Sequence, residues 1–280
     1  MEDNTIKAEI EQNEYKSYCE KIKIWNPKEY FKTAMRAWNG FTMVISGSSK
    51  SGKSNLLKNL LIGDANLEGY FDFIIIFSKT LVNGFYQSFI DSQLMFKDFN
   101  PGIIKDFMKL SEIQKNKGKR FRWCVILDDI VSGKSKYIEE ITELFYTGRH
   151  YGASIIFLTQ KASLMNTGWI ANTMVYISLF AGSRNEKTYL AENLISDIID
   201  ESFAHKKLAQ VERVAYLIQS SICQDYQSLI LLPYEKDKIF KYKAPLMKSN
   251  KKRAESIYTK FFKQDPNQSI SNSLSEKKDV

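Results

Sequence analysis

The chain has 280 residues, 44% of them hydrophobic and 26% charged, which suits an α/β domain with extensions. No run of about 18 uninterrupted apolar residues occurs, so no membrane span is expected, and the acidic start Met1-Glu2-Asp3-Asn4 is not expected to act as a secretory leader. Cys19, Cys124 and Cys223 are odd in number and far apart, which points to reduced thiols in a cytosol-like compartment and away from a disulfide framework or zinc site. The net charge of +8 suits an acidic polymer as partner.

Residues 1–40 mix charge with Tyr15, Tyr18, Trp25, Tyr30, Phe31 and Trp38 and are expected to form a helical extension. The apolar run Phe41–Ile45 follows, then Gly47-Ser48-Ser49-Lys50-Ser51-Gly52-Lys53-Ser54, which matches the phosphate-loop pattern G-x-x-x-x-G-K-[ST] at every fixed position. Asn55 to Leu61 reads as the start of a helix. In that strand–loop–helix setting backbone N–H groups and the helix N-terminus hold phosphate oxygens. Lys53 is expected to reach the β- and γ-phosphates of a nucleoside triphosphate and Ser54 to ligate Mg²⁺, with Asn55 completing the binding set Gly47–Asn55.

Phe71–Phe77 is expected to be a buried strand, residues 81–112 helical and irregular, and Asn116–Lys119 a turn. Lys115, Lys117, Lys119, Arg120 and Arg122 make a first basic cluster before the strand Trp123–Leu127. That strand ends in Asp128-Asp129. Asp128 is expected to be the magnesium carboxylate and Asp129 to polarise a water for attack on the γ-phosphate. Alone, two acids after a strand would read as a helix cap; behind a phosphate loop they favour NTP hydrolysis. Tyr137–Thr147 is expected to be a helix with Ile138, Ile141, Leu144 and Phe145 on its apolar face.

Arg149, in Gly148-Arg149-His150, is either a favourable cation at that helix's C-terminus or a catalytic group on the functional side of the sheet; His150 is expected to be structural. After the strand Ala153–Leu158, Gln160 of Thr159-Gln160 is expected to hold the attacking water. Thr173–Leu179 is the next strand, residues 185–210 read as helical, and Val214–Ile218 and Ser228–Leu232 read as two further strands. A second basic cluster holds Lys241, Lys243, Lys248, Lys251, Lys252, Arg253, Lys260 and Lys263. Both clusters suit nucleic-acid phosphates or a solvated face. From about Gln264 the composition turns to that of a disordered tail. Near-continuous apolar strands between helices imply a mainly parallel sheet covered on both faces. The expected division is an extension at 1–40, a P-loop core at 41–235 and a basic tail at 236–280.

The phosphate loop, Leu127-Asp128-Asp129-Ile130, Gly148–Ile156 and Thr159-Gln160 together resemble the genome-packaging ATPases of the FtsK/HerA superfamily. The similarity is to the poxvirus-type form found in large DNA viruses, their virophages and related transposons, and covers roughly residues 40–180. The resemblance implies a RecA-like core in which the Gln160 strand lies between the phosphate-loop strand and the Asp128 strand. It implies an ATP- and Mg²⁺-dependent ring, pentamer or hexamer, that pumps double-stranded DNA into a preformed capsid. Capsid or portal-vertex proteins are then partners and a membrane is not. The protein would act in the host cytoplasm, at the viral factory, or with the virion. Much of the superfamily has Glu where Asp129 stands, and Trp169–Asn172 lacks an arginine expected near Ala171, which makes Arg184 a second candidate for an arginine acting in trans. Two other classes stay open: a small-molecule kinase of the nucleoside or nucleotide type, and a nucleotide-dependent interaction protein.

Overall fold

A computed structural model of the chain describes residues 15–245 apart from Trp38, Asp64, 82–83, 131–136, Asn166, 180–183 and 200–207. The tail from Gln264 and the second basic cluster from Lys248 onward lie outside the described residues. In chain order the main elements are β1 (Lys23–Ile24), α1 (Pro27–Ala37), β2 (Thr42–Ser46), α2 (Lys53–Ile62), β3 (Phe73–Ser78) and β4 (Met95–Phe96). There follow α3 (Pro101–Asn116), β5 (Trp123–Asp128), α4 (Ile138–Thr147), β6 (Ala153–Thr159), α5 (Thr167–Ala171) and β7 (Val175–Ser178). The last are α6 (Arg184–Leu190), a π turn (Ala191–Ile195), α7 (Ser196–Ile199), α8 (Leu208–Ile222), β8 (Gln227–Leu231) and β9 (Ile239–Lys243). No helix among the described residues is long and apolar enough to cross a membrane.

Two compact units share these elements. The first takes the described parts of Met1–Pro27, Thr42–Asn59 and Phe157–Leu246, and the second takes Lys28–Phe41 and Leu60–Ile156, so that α2 and β6 each run from one unit into the other. Strand order in the first is β1-β9-β8-β7-β2-β6. There β2 and β7 are parallel, with Met43 opposite Val175 and Ser46 opposite Ser178. β8 runs antiparallel to both β7 and β9, and β1 joins β9 in parallel. The second unit orders its strands β6-β5-β3-β4, and β3 and β5 are parallel from Phe73–Trp123 to Ser78–Asp128. Strand directions are therefore mixed in the first unit, and the β3–β5 and β3–β4 pairs of the second are parallel.

Every residue of β2, β3, β5, β6 and β7 is buried, as strands covered on both faces must be. Helix α3 starts where Asn100 accepts a 2.9 Å hydrogen bond from the Gly102 amide with Pro101 in the first turn. It buries Ile103, Ile104, Phe107 and Leu110, and the Phe107 ring meets Phe73 and Trp123 at centroid distances of 5.6 and 5.3 Å.

Four expectations need correcting. Val214–Ile218 is not a strand but the middle of α8; Val211, Val214, Ala215, Ile218 and Ile222 are buried at helical spacing, and that periodicity decides over the short apolar run. Residues 15–40 are not purely helical, because Lys23–Ile24 pairs with Phe240–Lys241 as a strand. Ile138 is exposed, while Ile141, Leu144 and Phe145 are buried as expected. Within the first basic cluster Lys115, Lys117, Lys119 and Arg120 are exposed, but Arg122 serves the fold: its guanidinium donates to the Met35 carbonyl and its amide to Asp72 Oδ2 at 2.9 Å. All three cysteines are free thiols, with Cys124 and Cys223 buried.

Candidate functional site

The phosphate loop leaves the C-terminal end of β2 in the first unit. Its first amide, Gly47 N–H, donates to the Thr159 carbonyl at 3.1 Å, so the end of β6 and the start of the loop lie side by side. A Cβ on Gly47 would stand 2.6 Å from Ser51 Oγ and 3.0 Å from Leu179 Cβ, so the loop closes tightly only around a glycine. Lys50 and Gly52 take positive φ values of 61° and 97°, the turns that direct successive N–H groups inward. Helix α2 then begins at Lys53, with Leu56 N–H donating to the Gly52 carbonyl at 2.9 Å.

Lys53 is only 7% exposed, and its ammonium donates to the carbonyls of Gly47 and Ser48 at 2.8 and 3.1 Å. The loop thus holds a buried cation on its own backbone oxygens. Ser51 Oγ is buried with no hydrogen-bond partner, a rare state for a hydroxyl and one that a phosphate oxygen would satisfy. These two observations fit a bound polyphosphate. Ser54 is half-buried at the first turn of α2; Ser49, Lys50 and Asn55 are exposed. Below the loop, the Tyr176 hydroxyl donates to Ser46 Oγ at 2.7 Å and Leu179 N–H to the Ser46 carbonyl at 2.8 Å, fixing β7 to the strand that feeds the loop.

Gln160 is exposed one residue beyond the Thr159 that contacts Gly47. Thr159 Oγ1 accepts from Lys161 N–H at 3.1 Å and donates to the Lys161 carbonyl at 3.0 Å, which turns the chain sharply and throws Gln160 outward. Glu186 of α6 holds the following turn by accepting from Ala162 N–H at 2.7 Å and Ser163 Oγ at 2.6 Å.

In the second unit Asp128 ends β5 and is 4% exposed. Its Oδ2 accepts three hydroxyl hydrogen bonds, from Tyr86 at 2.7 Å, Ser78 at 2.9 Å and Thr80 at 3.3 Å. Burial pushes its pKa up, against the lowering effect of Tyr86 and Ser78, and the neighbouring Asp129 carboxylate adds to the rise. A cation beside this carboxylate would remove that penalty, so the donor set fits a magnesium partner as one carboxylate among phosphate oxygens. Ser78, Thr80 and Tyr86 escape a reading of the sequence alone; the hydroxyl pair Ser78-x-Thr80 at the end of a buried apolar strand is the one local sign of them. Asp129 is half-buried with φ 51°, a left-handed backbone that breaks the extended run of the strand.

Arg149 falls in the 3₁₀ turn Gly148–Tyr151, just after α4, and not on the side of the sheet expected for it. Trp123, at the start of β5, bonds the Gly152 and Tyr151 carbonyls through its amide and its indole N–H at 3.1 and 2.9 Å. The arginine therefore lies at the opposite end of β5 from Asp128. Five rises of about 3.3 Å separate those ends by roughly 17 Å. Arg184 opens α6.

A family model described as "Poxvirus A32 protein" matches residues 28–242. The genome-packaging NTPase B204 from Sulfolobus turreted icosahedral virus 2, solved with AMPPCP, is similar in fold: TM-score 0.55 at 18% identity, covering 75% of this chain and 100% of that one. B204 from Sulfolobus turreted icosahedral virus, described as a DNA-packaging ATPase, gives a TM-score of 0.52 at 16% identity over 74% of this chain and 99% of that one. The cytoplasmic domain of the Thermomonospora curvata type VII secretion ATPase EccC gives 0.50 at 13% identity over 81% of this chain and 28% of that one. At these identities the likeness is one of fold, a P-loop NTPase core. Among curated proteins none matches the chain.

Proposed function

We propose, from the premise that this chain belongs to the poxvirus A32 protein family, that it is an ATPase whose hydrolysis drives double-stranded DNA into a viral capsid. The observation that carries the ATPase reading is the loop itself, with Lys53 buried on the Gly47 and Ser48 carbonyls and Ser51 Oγ buried without a partner. The loop amides and Lys53 hold the β- and γ-phosphates. Ser54 and Asp128 would hold magnesium, which when bound neutralises charge between those phosphates. Asp129 takes a proton from the attacking water, and Gln160 orients that water with its amide. The motor assembles as a ring in the host cytoplasm or on the virion, with capsid or portal-vertex proteins as partners.

Arg149 cannot reach the Asp128 end of its own β5, so its catalytic role would require a neighbouring copy. An arginine supplied in trans is worth about 10³–10⁵ in rate. Arg149→Ala is expected to bind ATP normally and hydrolyse it poorly. Mixed with Lys53→Ala subunits it is expected to regain part of the activity, because some interfaces then pair an intact loop with an intact arginine. Absence of rescue in rings that exchange subunits would leave Arg149 with its helix-end role, and Arg184 would be the next arginine to substitute.

DNA contact is supported by lysines that the fold collects from distant segments. Lys21, Lys236 and Lys238 line a recess of about 250 Å³ together with Asp237, whose carboxylate accepts from Lys23 Nζ at 2.7 Å, and Lys241 and Lys243 follow on β9. Phosphate release should rise when double-stranded DNA of any sequence is added, and nucleosides should receive no phosphate. A nucleoside phosphate product would favour the small-molecule kinase. Binding should weaken steeply with salt, and Lys236→Glu with Lys238→Glu should flatten the slope of log K against log salt by about 2, at ~0.9 for each DNA phosphate that is no longer neutralised. An unchanged slope returns these lysines to the solvated surface.

A further inference from the structure

We propose that Tyr226 is the platform on which the base of the bound nucleotide stacks, an inference that rests on reading the Gly47–Ser54 loop as the triphosphate site. Tyr226 lies in the turn between α8 and β8, within the first unit, and is 73% exposed. A Cβ built on Gly52 would stand 3.6 Å from Tyr226 Cδ1, so the ring edge borders the loop where α2 begins. An aromatic side chain is thus left in water beside a site built for phosphates.

The backbone holds it there at a cost. Asp225 and Tyr226 take φ values of 49° and 60°, a left-handed region that a bulky side chain rarely enters. The turn is tied down on both sides. Cys223 Sγ donates to the Ser178 carbonyl at 3.2 Å, Gln219 Nε2 to Ser178 Oγ at 3.1 Å, and Gln227 N–H to the Gln224 carbonyl at 2.8 Å. Ser178 precedes the Leu179 that bonds Ser46 at the loop's entry, so the ring and the loop share one hydrogen-bonded support.

The loop amides and Lys53 recognise phosphates and offer nothing to a base. A flat π-face beside them supplies what the base needs. Stacking requires no base-edge readout because every base has a π-face, and purines present the larger one. Tyr226 then adds affinity for nucleotides over bare polyphosphate, with a preference for ATP over CTP.

The test is calorimetric titration of wild type, Tyr226→Phe and Tyr226→Asn with ATP, CTP and inorganic tripolyphosphate, in Mg²⁺ and without DNA. Asn tolerates a left-handed backbone, so Tyr226→Asn removes the ring while respecting the turn; thermal unfolding checks that it folds. Wild type should bind ATP about tenfold more tightly than tripolyphosphate, the low end of what base–aromatic stacking supplies. Tyr226→Phe should stay within about twofold for ATP, as the ring face is kept. Tyr226→Asn should lose about tenfold for ATP, less for CTP, and nothing for tripolyphosphate. Wild-type ATP affinity in Tyr226→Asn, equal losses for ATP and tripolyphosphate, or a wild type that gains nothing from the base would each overturn the platform while leaving the triphosphate site standing. A wild type that binds neither ATP nor tripolyphosphate would overturn that site, and the platform with it.

Discussion

Lys53→Ala is expected to abolish ATP hydrolysis, with turnover falling by at least about 10²–10³-fold, and to weaken ATP binding strongly. The side chain is a buried ammonium on the Gly47 and Ser48 carbonyls, so the loop is shaped around a positive charge even before a triphosphate arrives. Alanine removes the cation that offsets charge on the β- and γ-phosphates and takes one donor from each of the Gly47 and Ser48 carbonyls. The backbone donors and the N-terminus of α2 remain, so residual weak binding of phosphate is compatible with the assignment. Phosphate release and a calorimetric ATP titration read the two effects separately. Turnover at the wild-type rate in this variant would remove the basis of the whole functional reading.

Asp129→Asn should keep ATP binding and lose turnover by about 10²–10⁴-fold, because an amide cannot accept the proton of the attacking water. The exchange is conservative for the backbone, since Asn also tolerates the φ of 51° found there. Asp128→Asn should instead weaken Mg²⁺-dependent ATP binding. Its thermal unfolding without nucleotide or Mg²⁺ gives an independent readout. Burial raises the Asp128 pKa, so the folded state holds that proton more readily than the unfolded chain does. The stability this linkage contributes is present below the ordinary Asp value of about 3.9 and is lost as pH rises through the folded value. Asn carries no such charge, so Asp128→Asn should unfold at a higher temperature at neutral pH, a gain that fades in acid. Turnover loss without binding loss in Asp128→Asn, and the reverse in Asp129→Asn, would exchange the two roles.

The parts of the site legible in the sequence are those carried by short local patterns. Gly47–Ser54 identifies itself because backbone turn, helix start and phosphate chemistry all depend on one stretch of chain. Asp128 follows because an apolar run ends in it. Thr159-Gln160 is placed by the same logic of strand ends, and the hydrogen bond from Gly47 to Thr159 gives it a physical neighbour. What escapes is long-range. Tyr86, Ser78 and Thr80 stand 42 to 50 residues before the carboxylate they bond, and no local pattern announces a partner that distant. Lys21 and Lys23 reach Lys236 and Lys238 only because β1 pairs with β9. Val214–Ile218 misleads because a five-residue apolar run suits a buried strand or a buried helix face alike, and the helical spacing shows only from Val211 to Ile222. Arg149 lies at the other end of the sheet from the one expected because the helix after β5 returns the chain to the start of the strands.

Among the described residues, β1 in the first unit and β4 in the second each end a strand order and are two residues long. A ladder that short offers an incoming chain too few free N–H and C=O groups to nucleate edge-to-edge growth. These edges therefore give a second chain little template for pairing through its backbone. A contact made at these edges would rest on side-chain surfaces, which can part and re-form without breaking a continuous backbone ladder.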